Sequence, residues 1–390
     1  MIILDEPYVS DFLLQTIRDH ELPIVLTDTA RALGFGSETY CWDVETAVSH
    51  LRTSFHQPIY TNSENAIGWV AQHLDFTGLP GQIAQFKDKV KFRELIRPLY
   101  PHFFFRQIAL RDFAALDITH LPLPFVIKPT AGFFSLAVHK VSSAAEWEAV
   151  KTNIQLELMQ TRGLFPREVI NTTSFIIEEC IEGDEYAIDA YFDAAGKPVI
   201  LNILKHIFSS ASDVSDRIYI SSKEIIETHL ARFTDFLAQL GRLTGVQNFP
   251  VHVEVRLDAA GQMQPIEVNP LRFGGWCTTP DMTAYAYGFN PYLYFLRGQR
   301  PDWGAILADK AGKLYSLIIL DNSTGLAPDR IAAFDYERVL AQLEKPLQLR
   351  RLDYRRFPVF GFIFAETQAA HYAELDAILK SDLREFVVLV

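Results

Sequence analysis

The residues best suited to chemistry lie in Val251–Gly275, VHVEVRLDAAGQMQPIEVNPLRFGG. Folded as a hairpin symmetric about Ala260–Gly261, this stretch sets Glu254 opposite Glu267 and His252 opposite Asn269. Side chains alternate along a strand, so all of these project from one face. Directly opposed β-carbons stand only ~4.5–5.5 Å apart, and like charges there repel. Neutralising Glu267 is therefore expected to relieve the metal-free hairpin. Two facing carboxylates call for a cation or a shared proton, and with Asn269 the donor set is hard and all-oxygen. Such a set favours Mg2+ or Mn2+, completed by substrate phosphates, over zinc. The alternative is a solvent-facing hairpin whose carboxylates stay hydrated. A second stretch, Phe125–Val138 (FVIKPTAGFFSLAV), ends an apolar strand on Lys128 and continues into a small-residue loop. An ammonium there can sit beside phosphate while loop amides cradle it, or it can be a lysine snorkelling from a strand end. In a third, Phe175–Tyr191 (FIIEECIEGDEYAIDAY), an apolar strand runs into acidic residues and Gly183. Backbone at such a crossing can read a purine edge and an acid can take ribose hydroxyls; a solvated acidic turn is the alternative.

The elements that must position these residues follow from the pattern. Near the N-terminus, strands at Ile2–Leu4, Leu22–Leu26 and Pro58–Tyr60 alternate with helices, one capped by Ser10, another around Asn65–Leu74. Alternation of this kind predicts a small parallel α/β sheet. The absence of G-x-G-x-x-G after the first strand leaves dinucleotide binding unsupported there. Thr77–Gly81 is a plausible boundary, which gives an N-terminal α/β domain over residues 1–84. A charged helix, FKDKVKFRELI, an aromatic strand at His102–Ile108 and a long helix near Ala144–Arg162 follow. Two strand pairs turn on Asp193–Gly196 and Asp258–Gly261, both Asp-Ala-Ala-Gly, with glycine supplying positive φ. The remainder, residues 301–390, mixes strands and helices as an α+β domain.

Composition narrows the function. With 48 acidic against 36 basic side chains the formal charge is −12, which argues against nucleic acid and anionic membranes as partners. No apolar run approaches the ~20 residues of a membrane span. The opening MIILDEPYVSDF has no basic segment and reads as no signal peptide, so the expected location is cytoplasmic. Cys41, Cys180 and Cys277 are too scattered for a disulfide frame or a zinc site, and Cys180 is expected to pack.

Taken together and in order, the Asp88-Lys89 helix start, the Ile-Lys-Pro strand at Lys128, the Glu-x-x-x-x-Gly-x-Glu crossing and the Glu-Val-Asn-Pro strand resemble the ATP-grasp superfamily of carboxylate ligases over roughly residues 85–298. The resemblance implies an ATP-grasp core over 85–300 with a lid subdomain at about 110–180. It also implies ATP and Mg2+ (or Mn2+) as cofactors. It places Lys89 and Lys128 on nucleotide phosphates, Glu178 near the adenine amino group, and Glu179 and Ile181 backbone groups on the adenine edge. Glu185 falls on the ribose, and Glu254, Glu267 and Asn269 match the magnesium ligands. Arg272 matches a residue that holds the transferring phosphate, His252 a phosphate contact or support, and Lys205 a further phosphate contact. Arg217, the sole cation of the polar loop Ser209–Ser222, is a candidate phosphate or carboxylate contact. Two departures stand out. The lid loop Thr130-Ala131-Gly132-Phe133-Phe134-Ser135 carries aromatics, and Leu271 separates Pro270 from Arg272. The implied reaction activates a small carboxylate as an acyl-phosphate and couples it to an amine, as in stand-alone amino-acid ligases. Bicarbonate activation of the biotin-carboxylase or carbamoyl-phosphate type, or a nucleotide-binding regulator without turnover, are the alternatives. A homodimer is the expected assembly. Trp276, Tyr285, Tyr287 and the arginines Arg350, Arg351, Arg355 and Arg356 are either acceptor-pocket walls or ordinary packing and surface.

Overall fold

The structure, a computed structural model, describes residues 1–54, 57–131, 137–161, 173–210 and 215–390. Strands β1 (Ile2–Ile3), β2 (Ile24–Val25), β3 (Cys41–Trp42) and β4 (Tyr60–Thr61) form a parallel sheet in the order β3-β2-β1-β4. Helices α1 (Asp11–Asp19), α2 (Asp28–Ala32), α3 (Val44–Thr53) and α4 (Ala66–His73) connect and follow these strands. Ser10 caps α1 by accepting the Leu13 amide at 3.1 Å, the local bond that a serine at this position favours.

The expected boundary Thr77–Gly81 instead opens α5 (Leu79–Lys87), and the single charged helix is two. Asp88 ends α5 and caps α6 (Lys89–Ile96), accepting amides from Val90 and Lys91. The break turns Lys87 and Lys89 toward the same site from different helices.

A second antiparallel sheet, in the order β5-β8-β6-β7, holds β5 (Phe105–Ala109), β6 (Phe125–Pro129), β7 (His139–Val141) and β8 (Ser174–Glu179), with α7 (Trp147–Thr161) against it. It has its own apolar core around Phe113, Phe125, Trp147 and Phe175. The lid-loop residues Gly132, Phe133, Phe134 and Ser135 lie outside the described residues.

The largest sheet among the described residues is antiparallel, in the order β13-β12-β9-β10-β11-β14-β17-β16. Its strands are β9 (Asp184–Phe192), β10 (Pro198–Ile207), β11 (Ile218–Ser222), β12 (Phe249–Leu257), β13 (Met263–Pro270), β14 (Lys313–Asp321), β16 (Lys345–Arg351) and β17 (Val359–Gln368); β15 (Ile331–Phe334) pairs apart with β18 (Val387–Leu389). Helices α8 (Lys223–Thr244), α9 (Thr278–Tyr287), α10 (Pro291–Leu296), α11 (Trp303–Ile306), α12 (Tyr336–Leu340) and α13 (Ala373–Lys380) complete the chain. The sheet runs across residue 300, so the C-terminal α+β segment is continuous with the core in hydrogen bonding. One apolar cluster joins the N-terminal sheet to β9, β10 and β12. Among the described residues no helix is long and apolar enough to cross a membrane.

Candidate active site

The hairpin β12–β13 pairs Glu254 with Glu267 and His252 with Asn269. Beyond Glu254 the register shifts, Val255 meeting Pro265, so Ile266 is the extra residue of a β-bulge. The Asp258–Gly261 turn closes the far end. The facing register therefore holds on the site side of the bulge only.

The two carboxylates differ electrostatically. Burial and the neighbouring Glu267 raise the Glu254 pKa, and His252 offsets only part of this. Burial would raise Glu267 too, but Lys89, Lys87 and Lys128 outweigh it and hold that carboxyl well below the usual range. Lys89 Nζ stands 3.1 Å from Glu267. Neutralising Glu267 thus removes the partner of Lys89 and a charge that Lys87 and Lys128 attract, contrary to the relief expected from the hairpin alone; relief belongs to Glu254.

His252 sits between acids. Its Nδ1 is 2.7 Å from Asp189 and its Nε2 is 3.7 Å from Glu254. Burial disfavours the imidazolium, yet the hydrogen bond to Asp189 and the nearby Glu254 carboxylate raise its pKa to about 9. Asp189, fully buried, also accepts the Gly274 amide at 3.0 Å and the Thr279 hydroxyl. A Cβ at Gly274 would fall 2.1 Å from Thr279 Oγ1, so only glycine fits this approach.

Cations surround the pair. Lys128, at the end of β6, donates to Glu178 at 2.7 Å, and Arg93 of α6 donates to the same carboxylate at 2.6 Å. Burial raises the Glu178 pKa, but Lys128 and Arg93 bring it down to about 2. Glu64, from the N-terminal unit, pairs with Lys87 and lies 2.6 Å from Arg272; against burial, these cations hold it at about 2. Arg272 Nε is buried with no hydrogen-bond partner among the described residues, which leaves a donor to spare. The turn carrying it is docked by Thr61, whose amide reaches the Leu271 carbonyl at 2.8 Å.

The donor set suits a hard divalent ion. Glu254, Glu267 and Asn269 offer oxygen only, and neighbour repulsion at Glu254 is what a cation relieves. Among the described residues no group of three or more His, Cys, Asp and Glu forms a closed metal cage, so further oxygens would come from a ligand or water.

Residues 121–280 match the family model of the ATP-grasp domain. Those residues form an ATP-grasp domain. Solved structures share the fold along the whole chain. The L-amino acid ligase from Bacillus licheniformis has 19% identity and TM-score 0.67, covering 100% of this chain and 98% of its own. The biotin carboxylase from Campylobacter jejuni has 11% identity and TM-score 0.65, covering 100% and 91%. The N5-carboxyaminoimidazole ribonucleotide synthetase from Thermotoga maritima has 13% identity and TM-score 0.63, covering 100% and 98%. None of the curated proteins matches in sequence.

In this chain Lys89, Lys128, His252, Glu254, Glu267, Asn269 and Arg272 come together through shared acids, as described above. Other expectations are corrected. Glu178 is 2% exposed with both oxygens engaged by Arg93 and Lys128, so it orients the lysine instead of facing an adenine amino group. The Glu179 amide donates to the Phe104 carbonyl and the Ile181 carbonyl accepts from Arg256, so of these two residues' backbone groups only the Glu179 carbonyl and the Ile181 amide remain for an adenine edge. Glu185 stands 2.9 Å from His206 and 2.9 Å from Arg256, which occupy the carboxylate expected on ribose. Lys205 pairs with Asp184 at 2.6 Å. Arg217 is buried against the C-terminal segment, with Asp321 at 2.6 Å and the Ser381 carbonyl at 2.9 Å, and has no part in a substrate loop. The last five residues of the expected loop are instead strand β11, whose Ser222 caps α8; residues 211–214 lie outside the described residues.

Trp276, Tyr285 and Arg350 are packing, while Arg351, Arg355 and Arg356 are exposed. Trp276 lies between Tyr8 and Phe357, and Tyr285 against Phe364. Arg350 donates to the Trp276 carbonyl at 2.8 Å and pairs with buried Asp281. Glu64, Lys87, Arg93 and Asp189 were missed. Arg93 had a signal, one helical turn after Lys89 on the same face. Glu64 had none.

Proposed function

We propose that this ATP-grasp chain is an ADP-forming ligase that activates a small carboxylate as an acyl-phosphate and couples it to an amine. One observation carries the reading: Glu254 faces Glu267, both partly exposed, among buried cations each tied to an acid. Glu254, Glu267 and Asn269 would hold Mg2+ or Mn2+, which when bound offsets the charge of a triphosphate. Lys128 and Lys89 are poised to exchange Glu178 and Glu267 for phosphate oxygens. Arg272, with its spare Nε donor, and His252, held between Asp189 and Glu254, supply positive charge on the acyl side.

In the first step a carboxylate oxygen bonds to the γ-phosphorus of ATP and the bond to ADP breaks. In the second the amine nitrogen attacks the acyl carbon, phosphate leaves, and the amine loses a proton. The chain positions and neutralises; no protein nucleophile is needed. The fold likeness to the L-amino acid ligase is what supports an amino acid as the acid; a cytoplasmic homodimer completes the reading.

ADP release with pooled amino acids and amines tests the proposal. The expected result is release that needs both an acid and an amine. Stimulation by bicarbonate alone would replace the proposal with a bicarbonate-activating enzyme. ATP binding without release would replace it with a regulator.

A further inference from the structure

Arg93 is 2% exposed, and a guanidinium is rarely so buried unless every donor has a purpose. It follows Lys89 by one turn of α6, so the two share a face. Lys89 reaches the side chain of Glu267; Arg93 reaches the backbone just before it. Its Nε donates to Glu178 at 2.6 Å, Nη1 to the Pro265 carbonyl at 2.7 Å and Nη2 to the Ile266 carbonyl at 3.4 Å. The guanidinium carbon lies 4.4 Å from the centre of the Phe103 ring, which backs the fork.

Those carbonyls belong to the bulge. The β12–β13 ladder skips Ile266, and the skipped residue leaves backbone groups without ladder partners. The bulge also decides the register, and a one-residue slip would carry Glu267 to the opposite face of the sheet. We infer that Arg93 is a positioning residue for the metal ligands. By bonding the Pro265 and Ile266 carbonyls it holds the bulge that sets Glu267 opposite Glu254. By sharing Glu178 with Lys128 it ties that register to strand β8 of the lid sheet. A lysine could keep the charge but not the fork.

This role rests on the metal and nucleotide reading above, and the test separates the two. Arg93→Lys and Phe103→Leu are compared with the wild-type chain for Mn2+ binding in the presence of ADP, read by electron paramagnetic resonance of free Mn2+. ADP affinity in EDTA and thermal melting are measured alongside. Arg93→Lys is expected to raise the half-saturating Mn2+ concentration about tenfold or more, as loss of a residue that orients metal ligands does. Phe103→Leu, which removes only the ring behind the fork, is expected to raise it about threefold. ADP affinity in EDTA should stay within about threefold of wild type. A purely structural role would lower the melting temperature and leave the Mn2+ requirement of the folded fraction unchanged, and that result in Arg93→Lys overturns the inference. Should Arg93→Lys fail to melt cooperatively, the same unchanged requirement in Phe103→Leu overturns it. A wild-type chain that binds no ADP, with or without Mn2+, overturns the nucleotide reading itself.

Discussion

Hairpins β9–β10 and β12–β13 turn on the same residues, Asp-Ala-Ala-Gly, and the likeness extends past the turn. The first Asp accepts the amide after the glycine in both, from Lys197 at 2.8 Å and from Gln262 at 2.7 Å. Gly196 and Gly261 take φ of 71° and 76°. In each the second strand bulges five residues after the glycine, at Leu201 and at Ile266. In each the bulge is followed by a polar residue facing an acid, Asn202 opposite Asp189 and Glu267 opposite Glu254. The consequences diverge. Asn202 donates to Thr283 and accepts from Ser221, both at 2.8 Å, and Asp189 is bonded to His252, Gly274 and Thr279, so this pair is sealed inside the protein. Glu254 and Glu267 are left as a partly open pair of like charges. Equal local chemistry builds equal hairpins; what the neighbouring helices bring decides which becomes structure and which becomes a site.

The sharpest way to break this comparison is at the open pair. Glu254→Gln and Glu267→Gln should each lower ADP release by about a thousandfold. In metal-free protein their stabilities should move in opposite directions. Ionised Glu254 has a raised pKa, so its charge opposes folding above the unfolded pKa, and the glutamine stabilises. Glu267 has a lowered pKa, so its charge supports folding until pH falls through the folded pKa, and the glutamine destabilises. Urea unfolding in EDTA at neutral pH reads both signs; equal signs would remove the asymmetry.

Gly183 brings the lid strand into β9 beside the second hairpin, with φ of 111°, and a Cβ there would lie 2.0 Å from the Leu257 carbonyl oxygen. Gly183→Ala is expected to cost about 3 kcal/mol in unfolding free energy through backbone strain and clash. An unchanged urea midpoint would show that the close approach is not needed. At the sealed pair, Asn202→Ala should cost about 2 kcal/mol by leaving buried partners unsatisfied, with Mn2+ affinity within about twofold of wild type. A large loss of Mn2+ binding there would erase the distinction between the hairpins.

The smallest effect is at His252, which links them. Its folded pKa of about 9 lies above the ordinary 6.5, so its stabilising contribution is full below pH 6.5 and is lost as pH rises through about 9. The ring resonances of metal-free protein should titrate near pH 9, and His252→Gln should flatten the fall in stability over that window. Titration near 6.5 would mean that Asp189 and Glu254 do not hold the imidazolium.

Much of this was legible locally. Strand alternation and the turn residues place Glu254 against Glu267, and Asp88 and Ser10 mark helix starts through side-chain bonds only a few residues long. The bulge was not legible, because a symmetric hairpin and a bulged one agree on the turn and differ only in which carbonyls are satisfied from outside. Arg217 misled for a similar reason. A lone arginine in a polar stretch looks like a ligand contact until Asp321 and the carbonyls of the C-terminal segment arrive beside it.

The sequence by itself determined the hairpin, its facing acids, Lys89 at a helix start and Lys128 on a strand, and the ATP-grasp domain these spell out. Each depends on periodicity or on bonds between near neighbours. Only the tertiary structure decided which charges pair. Arg93 meets Glu178 across 85 residues and Arg272 meets Glu64 across 208. Coulomb energy and desolvation depend on distance in space, which the order of residues along a chain does not encode.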